Sequence, residues 1–324
     1  MRHFGLAVFI CCSIALTGCG GGGSNTLAPA PLPTYALPSG GPYVYVTDGG
    51  SLVLQIPQSQ NGAIIASASI IGPSTQLYSA AGIVRDPSGN IYVADENLNQ
   101  ILVFPAGSAG NLTPRYIIAG AATGLSAPRG VAIDSQGRLV VTNTTSNAIT
   151  IYPSGANGNA TPAVTISGAA TGLNMPAATA VDSAGNIEVA NESGAITVFA
   201  SGANGNVAPV RTISGAATGL NVPSGLCLDA NSNLYVSNAN GNSITEYAAG
   251  STGNVAPTLT IAGSNTLLAQ PQGLIIGSGG NLFVTNFSAP GVPGLITVYS
   301  AGASGNAAPI QSITNMRGPV GISL

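Results

Sequence analysis

An aspartate that closes an apolar run recurs at Asp86, Asp134, Asp182 and Asp229, and Gly277 holds the same place once more. The steps are 48, 48, 47 and 48 residues. This period constrains the fold more than any single motif, because a chain that repeats itself must pack one supersecondary unit against copies of itself. Around Asp134 the repeat carries four short β signals, at 130–134, 139–143, 148–152 and 163–167. Ser135-Gln136-Gly137, Thr144 to Asn147 and Pro153 to Pro162 separate them, and these residues favour turns. The unit reads as an antiparallel four-stranded meander. At this period it predicts a β-propeller blade, since a β-helix coil would need about half the length. The apolar surface of one such unit falls far short of offsetting its ordering entropy, so the blades must stack.

Counting strand types predicts six blades and the way they close. Second strands begin near Tyr43, Ile91, Leu139, Ile187, Leu234 and Leu282, and first strands sit at Gly82, Gly130, Ala178, Gly225, Gly273 and Gly321. The last first strand, within Pro319 to Leu324, has no second strand after it, and the Tyr43 unit has no first strand before it. The expectation is an all-β, six-bladed propeller over residues 42–324, with the C-terminal strand completing the first blade. Closure of this kind removes exposed sheet edges.

Upstream of the repeats, Arg2 heads an apolar stretch from Phe4 to Leu16 that is too short to span a bilayer as a stable helix. It ends in Leu16-Thr17-Gly18-Cys19, which resembles the bacterial lipobox. That resemblance implies a signal peptide over 1–18, lipidation at Cys19 and, with Gly20 following, an outer-membrane destination. Residues 19–41 are rich in Gly and Pro and read as a tether with a reach of roughly 70 Å at ~3.3 Å per residue. Cys11 and Cys12 leave with the signal and Cys19 carries lipid, so Cys227 alone remains and no disulfide framework is expected.

The repeats resemble the NHL-repeat or TolB-like six-bladed propellers, through Gly82-Ile-Val-Arg-Asp-Pro-Ser-Gly-Asn-Ile-Tyr-Val-Ala-Asp95 and Asn99-Gln-Ile-Leu-Val-Phe104. The NHL arginine before the third strand is missing; Gln100, Ala148, Ala195, Ser243 and Leu295 stand there. Lyase relatives of this fold depend on histidine, and the only histidine, His3, lies in the signal. Gluconolactonase-like propellers use a carboxylate and amide cluster around a divalent cation, but their early Glu-Gly-Pro motif is replaced by Gly40-Gly41-Pro42.

Charge is sparse: 7 basic and 10 acidic residues give −3, with no lysine, and loss of Arg2 makes the balance more negative. That excludes a nucleic-acid surface, which needs clustered Lys and Arg. A polar column ends every second strand: Asp48, Asp95, Asn143, Asn191, Asn238 and Asn286. Six copies would ring one face, where carboxylate and amide oxygens could hold Ca²⁺ or a polyol. Alternatively each side chain bonds the backbone that follows it in a turn. Asp86, Asp134, Asp182 and Asp229 read as turn caps on the opposite face. The Gly-Ala-Asn-Gly-Asn runs at 155–159 and 202–206 read as outer hairpin turns, and Cys227 as a buried apolar residue.

Positions that break the repeat say more about function, because the fold does not require them. Arg85 stands where other blades have Ile133, Val181, Leu228 and Ile276, while Glu188 and Glu246 also replace apolar counterparts. Arg129 precedes a first strand and, with Asp95, Glu96 and Glu192, is expected to form a mixed-charge mouth to the central channel. The resulting expectation is an envelope-anchored, monomeric, non-catalytic scaffold without a cofactor, meeting an envelope protein or polysaccharide. The alternative is a divalent-cation-dependent hydrolase or lactonase.

Overall fold

Four short strands per repeat, each bounded by turn residues, form six antiparallel sheets arranged as blades of one β-propeller, and the short strand Gly62–Ala63 adds a parallel fifth strand at the outer edge of blade 6. The computed structural model describes residues 42–288 and 292–324. The signal and tether expectations, Cys19 included, fall outside the described residues. Blade 3 is typical, with strands Pro128–Ile133, Leu139–Asn143, Ala148–Tyr152 and Val164–Ser167 running from the centre outward. The first strands of blades 2, 4, 5 and 6 are Ala80–Arg85, Pro176–Val181, Pro223–Leu228 and Pro271–Ile276.

Blade 1 closes the ring as the strand count predicts: its innermost strand is Pro319–Ser323, paired antiparallel with Tyr43–Asp48. Two clamps hold the junction. Asp48 accepts from the backbone amides of Gly318 at 2.7 Å and Arg317 at 3.1 Å, and the Gly321 amide donates to Thr47 Oγ1 at 2.8 Å.

Middle strands such as Leu139–Asn143 and Ala148–Tyr152 are buried along their whole length, as strands covered on both faces must be. The core lies between blades. Val140 and Ile151 of blade 3, for example, pack against Ile187, Val189 and Phe199 of blade 4.

Near the axis the blades approach closely enough to require glycine. A Cβ on Gly82 would fall 2.1 Å from the Arg129 carbonyl of blade 3, and one on Gly225 2.2 Å from the Gln272 carbonyl of blade 6. Hydroxyls on the second strands stitch the same seam. Thr47, Thr142 and Thr285 donate to the carbonyls of Ala81, Ala177 and Val320 in the next blade at 2.6, 3.2 and 2.7 Å, and Ser237 does the same to Gln272. Blades 2 and 4 carry Ala94 and Ala190 at this register and lack the stitch.

The outer rim is stapled too. The Asn159 and Asn206 side chains accept from the amides of Ala122 and Ala170 in the preceding blade, and Gly158 and Gly205 form parallel bridges with its outer strand. The Gly-Ala-Asn-Gly-Asn turns therefore also cover the neighbour's edge strand, which would otherwise present open pairing groups.

Candidate functional site

The six residues of the polar column lie at matching places on one face, but beneath it. Asp48 is 3% exposed and Asp95, Asn143, Asn191, Asn238 and Asn286 are 0% exposed. The oxygens of the four asparagines and Oδ2 of Asp95 accept backbone amides that precede them, correcting for these the expectation that they bond the backbone that follows, while Asp95 Oδ1 also accepts from the following Leu98 N at 3.4 Å. Asn143 Oδ1 accepts from Ser126 N at 3.0 Å, Asn191 from Asn174, Asn238 from Asn221 and Asn286 from Ala269. Asp95 Oδ2 accepts from both Tyr78 N at 2.6 Å and Ser79 N at 3.1 Å. Each side chain fixes the loop leading into its own blade's first strand; Asp48 does so across the ring closure.

One signal in the sequence explains the choice between acid and amide. The Nδ2 atoms of Asn143, Asn191, Asn238 and Asn286 donate to Thr150, Thr197, Thr245 and Thr297 on the third strands. Where the third strand instead has Leu54 or Leu102, the column has Asp48 or Asp95, which bring no amide donor needing a partner. The acids thus follow from local hydrogen-bond satisfaction.

The opposite face carries Asp86, Asp134, Asp182 and Asp229, whose oxygens close the first-to-second-strand turns. Asp86 accepts from Asn90 N and Nδ2 at 2.8 and 2.7 Å, and Asp134 binds Arg138 Nε at 2.6 Å. Cys227 is 5% exposed, and burial pushes its thiol up to about 12, so it is an unreactive core group.

Arg129 is where charge reaches the channel. The positions just inside the first strands form a ring of Ala81, Arg129, Ala177, Ser224, Gln272 and Val320. Contacts between successive first strands place blades 3 and 6 three steps apart in either direction, on opposite sides of the axis. Arg129 nevertheless donates through Nη2 to Gln272 Oε1 at 3.1 Å, and through Nη1 to Glu192 of blade 4. Its side chain therefore spans the channel mouth. Below it, Ile83, Val131, Leu226, Leu274 and Ile322 form an apolar belt broken only by Thr179, whose hydroxyl is buried without a partner among the described residues. The cavity is about 90 Å³. That is well below the ~300–1,000 Å³ of small-molecule pockets and suits a few waters.

Of the expected mouth, only Arg129 and Glu192 come together. Asp95 is buried under its own loop. Glu96 shares the register of Glu192 but forms no ion pair among the described residues. Gln272 joins Arg129 from outside the expected set, and the signal for it is a polar pair three repeats apart, which a six-membered ring places across the channel. The exposed side chains Tyr78, Leu98, Met175 and Phe287 stand on loops of this same face.

Arg85 and Glu188 do not line the channel. Glu188, 4% exposed, pairs with Arg211 at 3.2 Å on the side of blade 4 that packs on blade 5. Burial raises the Glu188 pKa and Arg211 opposes the rise. Glu246 faces the equivalent seam one blade on, across the strand pair from Tyr235, whose pKa is raised by burial and then by this carboxylate. Arg85 stacks on the Tyr45 ring of blade 1, 4.3 Å from its centroid, at the face opposite the mouth.

No family model matches this chain, and no curated protein does. Solved structures match in fold. A protein of unknown function from Bacteroides caccae has a TM-score of 0.64 at 10% identity, over 87% of this chain and 97% of that one. A structure of a nidogen/laminin complex gives 0.60 at 15%, with 87% and 97% covered. A catalytically inactive histidine-to-alanine variant of virginiamycin B lyase from Staphylococcus aureus, with quinupristin, gives 0.53 at 14%, with 88% and 95% covered. At these identities the likeness is one of fold.

Proposed function

We propose that this chain is a lipid-anchored envelope protein whose propeller is a non-catalytic binding scaffold, with the Arg129 mouth as its ligand-facing surface. The observation that carries the reading is the Arg129–Glu192–Gln272 cluster, drawn from three blades onto an axis otherwise ringed by small or apolar side chains. Nothing in blade folding demands it, because Ala81 and Ala177 occupy the same register without it. The exposed Tyr78, Leu98, Met175 and Phe287 around it supply the apolar contact area of a protein or polysaccharide interface.

The catalytic alternatives find less support. Residues 42–324 contain no histidine, so the imidazole altered in the inactive lyase variant has no counterpart. A cation-dependent hydrolase needs carboxylate oxygens facing a cavity, whereas Asp48 and Asp95 are buried and committed to backbone amides.

The test is a thermal-shift and titration screen of envelope oligosaccharides and peptides against the wild type and Arg129→Ala. A ligand weakened at least tenfold by Arg129→Ala, with melting unchanged, supports the reading; ligands indifferent to Arg129 overturn it. Millimolar Ca²⁺ or Mg²⁺ should leave the melting temperature unmoved, since a genuine cation site would raise it through linkage. Palmitate incorporation that Cys19→Ser abolishes would support the anchor.

A further inference from the structure

A second candidate site lies on the face opposite the Arg129 mouth. Arg85 ends the first strand of blade 2, and the corresponding positions in blades 3 to 6 are the aliphatic Ile133, Val181, Leu228 and Ile276. Blade packing therefore has no need of a guanidinium there. Arg85 lines an open hollow of about 470 Å³, within the size range of small-ligand sites. Its Nε is buried and donates to nothing among the described residues, although a buried unmade donor on a charged group is costly. Stacking on Tyr45 fixes the plane of the guanidinium without satisfying its N–H groups. Gly89 leaves the space beside it open, since a Cβ there would come within 3.0 Å of Nη2.

The hollow also contains Asp86 and Asp134, but their oxygens are held by Asn90 and Arg138 in turns that blades 4 and 5 repeat with Asp182 and Asp229. They close turns and do not neutralise Arg85, which has no ion pair among the described residues. They do bear on the ligand's charge, because both carboxylates repel an anion in proportion to its charge, which disfavours a dianion more than a monoanion beside the single guanidinium. Val84 and Ile133 supply apolar walls. Residues 19–41 contain no Asp or Glu, so the tether cannot itself provide the anion.

We infer that this hollow binds a small organic monocarboxylate, its carboxylate on Arg85 and its aliphatic body against Val84 and Ile133. Sodium hexanoate, hexanamide and inorganic phosphate are the probes, read on the full chain by calorimetric titration and by melting temperature. Hexanoate should bind in the millimolar range and raise the melting temperature. Hexanamide, with no charge to offer, should not. Arg85→Leu, which installs the side-chain type of the other blades, should stay folded and weaken hexanoate at least tenfold. Arg85→Gln keeps the polar stem without the charge, and reports the same loss should the leucine variant fail to fold. Hexanoate binding that survives either substitution, or that hexanamide matches, would overturn the site and leave Arg85 as a strut against Tyr45. Phosphate binding tighter than hexanoate would overturn the monocarboxylate assignment. Arg129→Ala should leave hexanoate binding intact, so failure at one face is separable from failure at the other.

Discussion

Asn143 Nδ2 donates to Thr150 Oγ1 at 3.0 Å, and the pair recurs in blades 4, 5 and 6 while blades 1 and 2 have aspartate opposite leucine. The rule predicts the outcome of exchanging one type for the other. Asp95→Asn would aim a buried amide donor at Leu102, and should cost about 1–3 kcal/mol. Leu102→Thr added to it supplies the missing acceptor. A double-mutant cycle by urea unfolding should give a favourable coupling of about 1 kcal/mol or more. No coupling would mean that Asp95 is kept for its charge.

The seam near the axis gives a second contrast. A Cβ on Gly130 would lie 2.8 Å from Thr142 Oγ1, and one on Gly225 2.8 Å from Ser237 Oγ. A stitching hydroxyl therefore requires glycine on the paired first strand, and Ala178 is tolerated because Ala190 faces it. Blade 2 has Gly82 with Ala94, so Ala94→Thr has room to reach the Arg129 carbonyl and should stabilise by about 0.5–1.5 kcal/mol. Ala190→Thr meets Ala178 and should destabilise by about 1–3 kcal/mol. Ala178→Gly added to Ala190→Thr should recover the loss, as measured by thermal melting.

Much of the fold was legible because a repeat exposes its own rules. Strand number, the closing strand and the buried Cys227 all follow from comparing one column across blades. The site was less legible, because propeller geometry joins residues that no local pattern links. Arg129 and Gln272 meet only because six blades form a ring, and Glu188 finds Arg211 only through strand register. The column of Asp and Asn was visible at once, yet the backbone partners of its four asparagines lie 17 residues upstream, a distance no turn motif reports.

The Glu188–Arg211 pair responds to both mutation and pH. Arg211→Val would leave Glu188 buried without its partner, whereas Glu188→Val would leave Arg211, whose side chain is 25% exposed and can reach water. The first should therefore cost about 3 kcal/mol and the second about 1 kcal/mol. The double variant reproduces the Val140 and Val164 of blade 3 and should be near neutral. The folded-state pKa of Glu188 is already raised, so the folded protein binds the proton more tightly than the unfolded chain does. Stability from this group then falls as pH rises from the unfolded carboxyl value through the folded one. Arg211→Val should steepen that fall; a profile parallel to the wild type would show that Glu188 is hydrated.

Ring closure supplies the last prediction. Residues 317–324 contribute the innermost strand of blade 1 and both amides that Asp48 accepts. Deleting them would expose the inner edge of Tyr43–Asp48 and remove both amide donors of Asp48, so the variant should melt well below the wild type and self-associate through that edge. A permuted chain that joins 317–324 directly ahead of Tyr43 restores the same pairing by a hairpin. It should return both the melting temperature and the wild-type association state, as read by scanning calorimetry and light scattering. If the deletion alone kept wild-type association and melting, closure would rest on the packing of blade 1 against blades 6 and 2, and the Asp48 clamp would be dispensable.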